Sequence, residues 1–159
     1  MNFKLTLLVL SMALVFASCG DDKKKKPSYN KSTVKKEVKA TTKLDINAPS
    51  LDNKGIGPVK SLELGAIDKA LVAKGKEAYK AKCTACHKFK KRYIGPALKG
   101  VTKRRSPEWI MNMILNPEEM LVKDPVAKAL IAEYNAPMAN QQLTKEEARA
   151  ILEYFRTKN

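Results

Sequence analysis

Five consecutive residues concentrate the reactive side chains of this chain: Cys83-Thr84-Ala85-Cys86-His87. Thiols three positions apart on one helical turn face the same way, and the imidazole one residue further on is i+4 from Cys83. Two sulfurs so placed can add to the two vinyl groups of one porphyrin edge while His87 reaches the iron from one side, which is how c-type haem is attached. Zinc is the first rival, but it needs four ligands. The 159 residues hold one histidine and three cysteines, Cys19 being the third, so zinc would have to find carboxylates. A thioredoxin-like dithiol is the second, and it expects a βαβ surround that the pattern around the motif lacks. The same counts exclude a His-rich metal centre and a disulfide scaffold.

The elements that must position this motif are helical. Asp68 can cap a helix carrying Leu71, Val72, Gly75, Ala78 and Tyr79 at helical spacing, and that helix runs straight into Cys83. Ser106-Pro107-Glu108 reads as an N-cap, a proline at the first helical position and an acidic first turn, leading Trp109, Ile110, Met113 and Ile114. Asn116-Pro117 and Asp124-Pro125 repeat that start, giving three short helices separated by prolines. Thr144-Lys145-Glu146-Glu147 is a capping box, and it opens a last helix with Ala148, Ile151, Leu152 and Phe155 on one face. No stretch keeps a strand period for long. The expectation is an all-α domain over residues 66–159.

The N-terminal third reads differently. Residues 1–18 behave as an export signal, with Lys4 before an apolar run from Leu5 to Ala17. That run is too short for a bilayer core of about 30 Å, which takes about 20 residues. Phe16-Ala17-Ser18-Cys19-Gly20 resembles the lipobox of bacterial lipoproteins, which implies cleavage before Cys19 and acylation of its thiol. Residues 19–65 are rich in Lys, carry Pro27, Pro49 and Pro58, and show no sustained apolar period, so they read as a lipid-anchored flexible basic linker. As a coil it would reach about 35 to 40 Å. The run Lys23 to Lys26 can sit against anionic head groups or act as a solvated spacer.

Residues 66–159 resemble class I monohaem cytochromes c over the whole domain. The resemblance implies about four to five helices around one covalently bound haem c, with Gly75 and Tyr79 of the first helix packed on Leu152, Tyr154 and Phe155 of the last. It implies that Gly95-Pro96 supplies a carbonyl to the proximal imidazole, a bond that fixes the ring and raises its basicity. Four methionines follow His87: Met111, Met113, Met120 and Met138. The first three fall in expected helices, where Met is usually a core filler. Met138 follows Pro137 in a loop, as the family usually presents its axial sulfur, so His87 and Met138 are the expected proximal and distal axial ligands, with Met120 next. Trp109 can hydrogen-bond a haem propionate or simply pack.

Charge points to a partner. The chain carries 31 basic and 16 acidic residues, a formal net charge of +15. From Lys80 to Arg105 no acidic residue interrupts ten cations, among them Lys82, Lys88, Lys90, Lys91, Arg92 and Lys99. These six read as a docking ring for an acidic redox partner. Nucleic acid is not expected, because stacking aromatics are not interleaved with the cations. The resulting expectation is a monomeric electron carrier rather than an enzyme, exported and lipid-anchored to a bacterial membrane facing the periplasm. It would run between a quinol-oxidising complex and a terminal oxidase or reductase. The segment from Ser106 to Phe155 is similar to cytochromes accompanying nitrous-oxide reductase. The competing reading is a haem sensor or peroxidase-like protein with an open sixth position, which holds if Met138 packs elsewhere.

Overall fold

The computed structural model describes residues 44–159. The expected signal peptide (1–18), the expected lipid-attachment residue Cys19 and the expected linker up to residue 43 lie outside the described residues. Among those described there are six helices, no strand beyond one isolated Ser50–Arg105 bridge, and no helix long and apolar enough to cross a membrane.

The helix starts fall where their caps place them. In α1 (Lys69–Lys82), Asp68 Oδ1 accepts from the N–H groups of Ala70 and Leu71 at 2.8 and 3.1 Å. In α3 (Pro107–Leu115), Ser106 Oγ accepts from Trp109 N–H at 3.0 Å, and in α5 (Pro125–Tyr134), Asp124 accepts from Ala127 N–H at 2.8 Å. Each such cap satisfies a donor the helix leaves open and contributes about 1 kcal/mol. The capping box of α6 (Lys145–Arg156) is complete in both directions between Thr144 and Glu147. α4 (Pro117–Lys123) departs from this scheme: the Asn116 side chain makes no cap bond and donates instead to the Ile56 carbonyl and to Glu119. A sixth helix, α2 (Val101–Arg104), has no side-chain cap and begins after Gly100. It raises the count above the four to five expected.

α1 crosses α6 at close range. A Cβ on Gly75 would lie 1.9 Å from the Ala150 carbonyl oxygen, so only hydrogen there lets the two backbones touch. Gly75 therefore meets the Ala150 backbone, one turn from the side chains expected to receive it. Tyr79 does pack as expected, with its ring 5.8 Å from Phe155 and 5.6 Å from Tyr154, and Phe89 completes the cluster. Leu152 is fully buried. Near the same crossing Glu153 is wholly enclosed, held by Arg149 and bidentately by Arg156, and Arg156 also donates to the Gly65 carbonyl.

Residues 44–65 correct the linker reading. They form an irregular strap bound to α3 and α4, so the compact unit begins well before residue 66. Val59 is 2% exposed, and its N–H and carbonyl are both held by the buried Asn112 amide, at 2.9 Å each. Glu108 receives the Leu62 N–H and the Lys54 ammonium. Ser106 Oγ donates to the Asn53 carbonyl, and Asn53 donates to Asp124. Gly55 sits at φ +70°, where its missing Cβ leaves room for the Met120 thioether, whose sulfur accepts the next N–H, that of Ile56. The strap has no periodicity because side chains of other helices, rather than a regular ladder, satisfy its backbone.

Candidate functional site

α1 delivers the first cysteine. Cys83 is its C-cap, with N–H donating to the Tyr79 carbonyl at 2.9 Å, and one further turn follows, closed by Cys86 N–H and His87 N–H onto the Cys83 carbonyl at 3.1 and 2.9 Å. The chain then returns on itself: Gly95 N–H donates to the Cys86 carbonyl, while Leu98 and Lys99 donate to the carbonyls of Lys88 and Phe89. This closed loop places Pro96 beside the imidazole. Its carbonyl lies 3.0 Å from His87 Nδ1, and because a carbonyl only accepts, Nδ1 carries the proton and Nε2 is left as the basic nitrogen. Gly95 makes room for the ring, since a Cβ there would stand 2.5 Å from His87 Cε1.

Burial lowers the His87 pKa, with the Pro96 bond acting in the opposite sense, and the neutral imidazole that results is the form that binds metal. Burial, with the neighbouring Cys86, pushes the Cys83 thiol up to about 11. A working dithiol of the thioredoxin kind needs a depressed pKa, so that reading fails on electrostatics as well as on fold. Among the described residues no group of three or more His, Cys, Asp or Glu side chains is placed to hold a metal ion.

Cys83, Cys86 and His87 open onto a cavity of about 360 Å³ that Met138 also lines. Its walls are largely apolar, drawn from Ile110, Met113 and Ile114 of α3, from α4 and α5, and from Phe155. Two free thiols, an imidazole with its distal nitrogen uncommitted, a glycine cradle and an apolar slot suit a covalently attached haem, which supplies a one-electron couple when bound.

Met138 stands in the loop between α5 and α6, downstream of Asn135 at φ 50°. Met120 and Met111 are fully buried and do not line the cavity, whereas Met113 does, a role that its helical position concealed in the sequence. The Trp109 indole lines the cavity too, and its N–H donates to Asp124 at 3.1 Å.

Of the six expected docking cations, Lys82, Arg92 and Lys99 line the cavity mouth, and Lys90 and Lys91 are exposed nearby in sequence. Lys88 donates to the Thr84 carbonyl and lies over the Tyr93 ring; Arg92 pairs with Glu133 at 2.8 Å and stacks on Tyr134. Arg105, the last of the ten basic residues, is buried and belongs to no surface ring.

The Cytochrome c family model matches residues 72–158. Among solved structures, cytochrome c from Rhodothermus marinus is 51% identical, covering 64% of this chain and 88% of its own, at a TM-score of 0.63. An engineered cytochrome c from the same organism is 50% identical over 64% and 89%, at a TM-score of 0.61. Another engineered form, bound to a carbene intermediate, is 51% identical over 64% and 88%, at 0.60. No curated protein matches the chain. With the haem-attachment residues, the helical frame and these likenesses in agreement, the chain belongs to the cytochrome c family, whose covalent haem c transfers single electrons.

Proposed function

We propose that this protein is a membrane-tethered monohaem electron carrier of a bacterial respiratory chain, with His87 and Met138 as the axial ligands of a haem c held through Cys83 and Cys86. The observation that carries the reading is that His87 and Met138, 51 residues apart in sequence, line one apolar cavity. With both axial positions taken by the chain, none is left for oxygen, peroxide or substrate, and thioether ligation raises the reduction potential. In this reading acylated Cys19 anchors the protein facing the periplasm, and Lys82, Lys88, Lys90, Lys91, Arg92 and Lys99 meet an acidic partner. Its donor is a quinol-oxidising complex and its acceptor a terminal oxidase or reductase, nitrous-oxide reductase among the candidates. Absorption spectra of the oxidised wild type and of Met138→Ala test the ligand. The weak sulfur-to-ferric charge-transfer band is expected in the first and absent from the second, and a wild type without the band sinks the proposal.

One observation favours a second reading, a haem protein that binds exogenous ligand. Left-handed residues Asn135 and Gln142 bracket the Met138 loop, and its bond to α4, from Asn140 to Glu118, is long at 3.4 Å. The engineered relative with a carbene intermediate is bound to a small organic group. Rapid carbon monoxide binding to the reduced protein at neutral pH would select this reading, and resistance would select the carrier.

A further inference from the structure

Arg105 differs from every other cation near the haem cavity, because it is 3% exposed. Its Nη1 donates to the carbonyls of Ala48 and Arg104 at 2.8 and 2.7 Å, and its Nη2 donates to the carbonyl of Ile46. Beside it, Ser50 N–H donates to the Arg104 carbonyl at 2.8 Å. The guanidinium lies 5.5 Å from the centre of the Trp109 ring, and both side chains line the cavity. Ile46 and Asn47, at the N-terminal end of the strap, line it as well. A charge is costly to bury unless its donors are met, and here backbone carbonyls of the strap meet them. The strap lies outside residues 72–158, which the family model matches, whereas Arg105 and Trp109 lie within them.

We propose that Arg105 is a positioning residue for the redox couple: it clamps the strap against the edge of the haem cavity, and its buried charge favours the reduced haem. Two effects act in the same direction. Oxidised haem carries one more positive charge than reduced haem, so a fixed guanidinium in a low-dielectric wall disfavours oxidation. Excluding water from that edge also disfavours the more highly charged state. Asp124 and Asp45 act on Arg105 through space and offset part of its charge, so its removal would leave the buried Asp124 carboxylate to favour the oxidised form further. The inference requires bound haem but holds whichever partner takes the electron.

Full-length, haem-loaded Arg105→Gln and Arg105→Lys provide the test, with midpoint potential and hydrogen exchange at the Ser50 amide as readouts. A pyridine haemochrome spectrum of the wild type checks haem attachment separately. Arg105→Gln is expected to shift the couple toward the oxidised form by about tenfold, or ~59 mV for one electron, and to speed Ser50 exchange by a similar factor. Arg105→Lys restores the charge without the fork, so most of the potential should return while exchange stays fast. An unchanged potential in Arg105→Gln, or unchanged Ser50 exchange, would overturn the proposal. Equal potentials in the two variants would overturn it too, since an arginine with a purely structural role gives that result. If Arg105→Gln does not mature, Arg105→Lys carries the test: fast exchange with a near wild-type potential supports the proposal, and slow exchange overturns it.

Discussion

The Trp109 indole N–H and the Asp124 carboxylate meet at 3.1 Å, both nearly inaccessible to solvent. The same oxygen of Asp124 caps α5 at Ala127, and the other receives Asn53 of the strap. One side chain thus joins the cavity wall, the strap and the helix that leads to the Met138 loop. Asp124→Ala removes a cap worth about 1 kcal/mol and strands a buried indole donor at about 1 to 3 kcal/mol, so a loss of roughly 3 kcal/mol is expected in urea unfolding of the haem-loaded protein. Trp109→Phe should make part of that loss redundant. Fully additive losses in the double variant would show that the bond carries no coupling.

Gly75→Ala sets helix propensity against packing. Alanine is the better helix former by about 1 kcal/mol, which would stabilise an exposed position. At Gly75 the added Cβ would stand 1.9 Å from the Ala150 carbonyl oxygen and 2.8 Å from the Ile151 nitrogen. Those atoms are the backbone of a packed helix and cannot swing aside, so α1 must retreat from α6 and take Cys83 with it. Overpacking of this kind costs about 1 to 3 kcal/mol, and the propensity gain does not cover it. A lowered melting midpoint is expected, with a reduced yield of attached haem. A midpoint at or above wild type would mean that the helices do not pack this closely in solution.

The parts legible in the sequence were those written in local chemistry. Asp68, Ser106, Asp124 and Thr144 cap the helices they announce because a cap and its helix are a few residues apart. Asn116 misled in part, since the Ile56 carbonyl, 60 residues away, claims its side chain. The strap was illegible for the same reason on a larger scale. Its partners Arg105, Glu108 and Asn112 belong to the α3 region, and nothing in a lysine-rich, aperiodic segment names them. Two signals did exist. Gly55-Ile56-Gly57-Pro58-Val59 interrupts the lysine pattern, and Glu108 and Asn112 fall at i, i+4 among apolar residues, a polar pair whose burial requires partners from elsewhere.

Glu108 makes the strap sensitive to acid. Burial by itself would push its carboxyl up, but its own backbone N–H, the Lys54 ammonium at 3.0 Å and the Leu62 N–H at 3.2 Å stabilise the charged form, and the net shift is downward. A carboxyl lowered on folding contributes stability above its unfolded pKa, and that contribution is lost as pH falls through the folded value. Wild type should therefore exceed Glu108→Gln in stability at neutral pH, with the gap closing as pH falls below the ordinary carboxylate range and through the lowered folded value, beneath which the Glu108 side chain is neutral as well. Urea midpoints across that range measure it. A gap independent of pH would assign the difference to packing alone.

Ionic strength tests the docking surface, and two kinds of cation on it should respond differently. Lys90 and Lys99 are exposed and form no ion pair among the described residues. Arg92 already spends its charge on Glu133 at 2.8 Å. Charges beyond about 8 Å are screened at physiological salt, so an encounter steered by the exposed lysines should slow by about tenfold or more as ionic strength rises from about 0.01 M to about 0.15 M. Charge reversal at Lys99 or Lys90 should lower the low-salt rate of electron transfer to an acidic partner and flatten its salt dependence. Arg92→Gln should do less, because the potential it projects outward is partly cancelled before any partner arrives. Stopped-flow oxidation of the reduced protein by such a partner reads all three variants. A rate indifferent to salt in the wild type, or an Arg92→Gln effect larger than that of Lys99→Glu, would show that the basic surface does not guide the encounter.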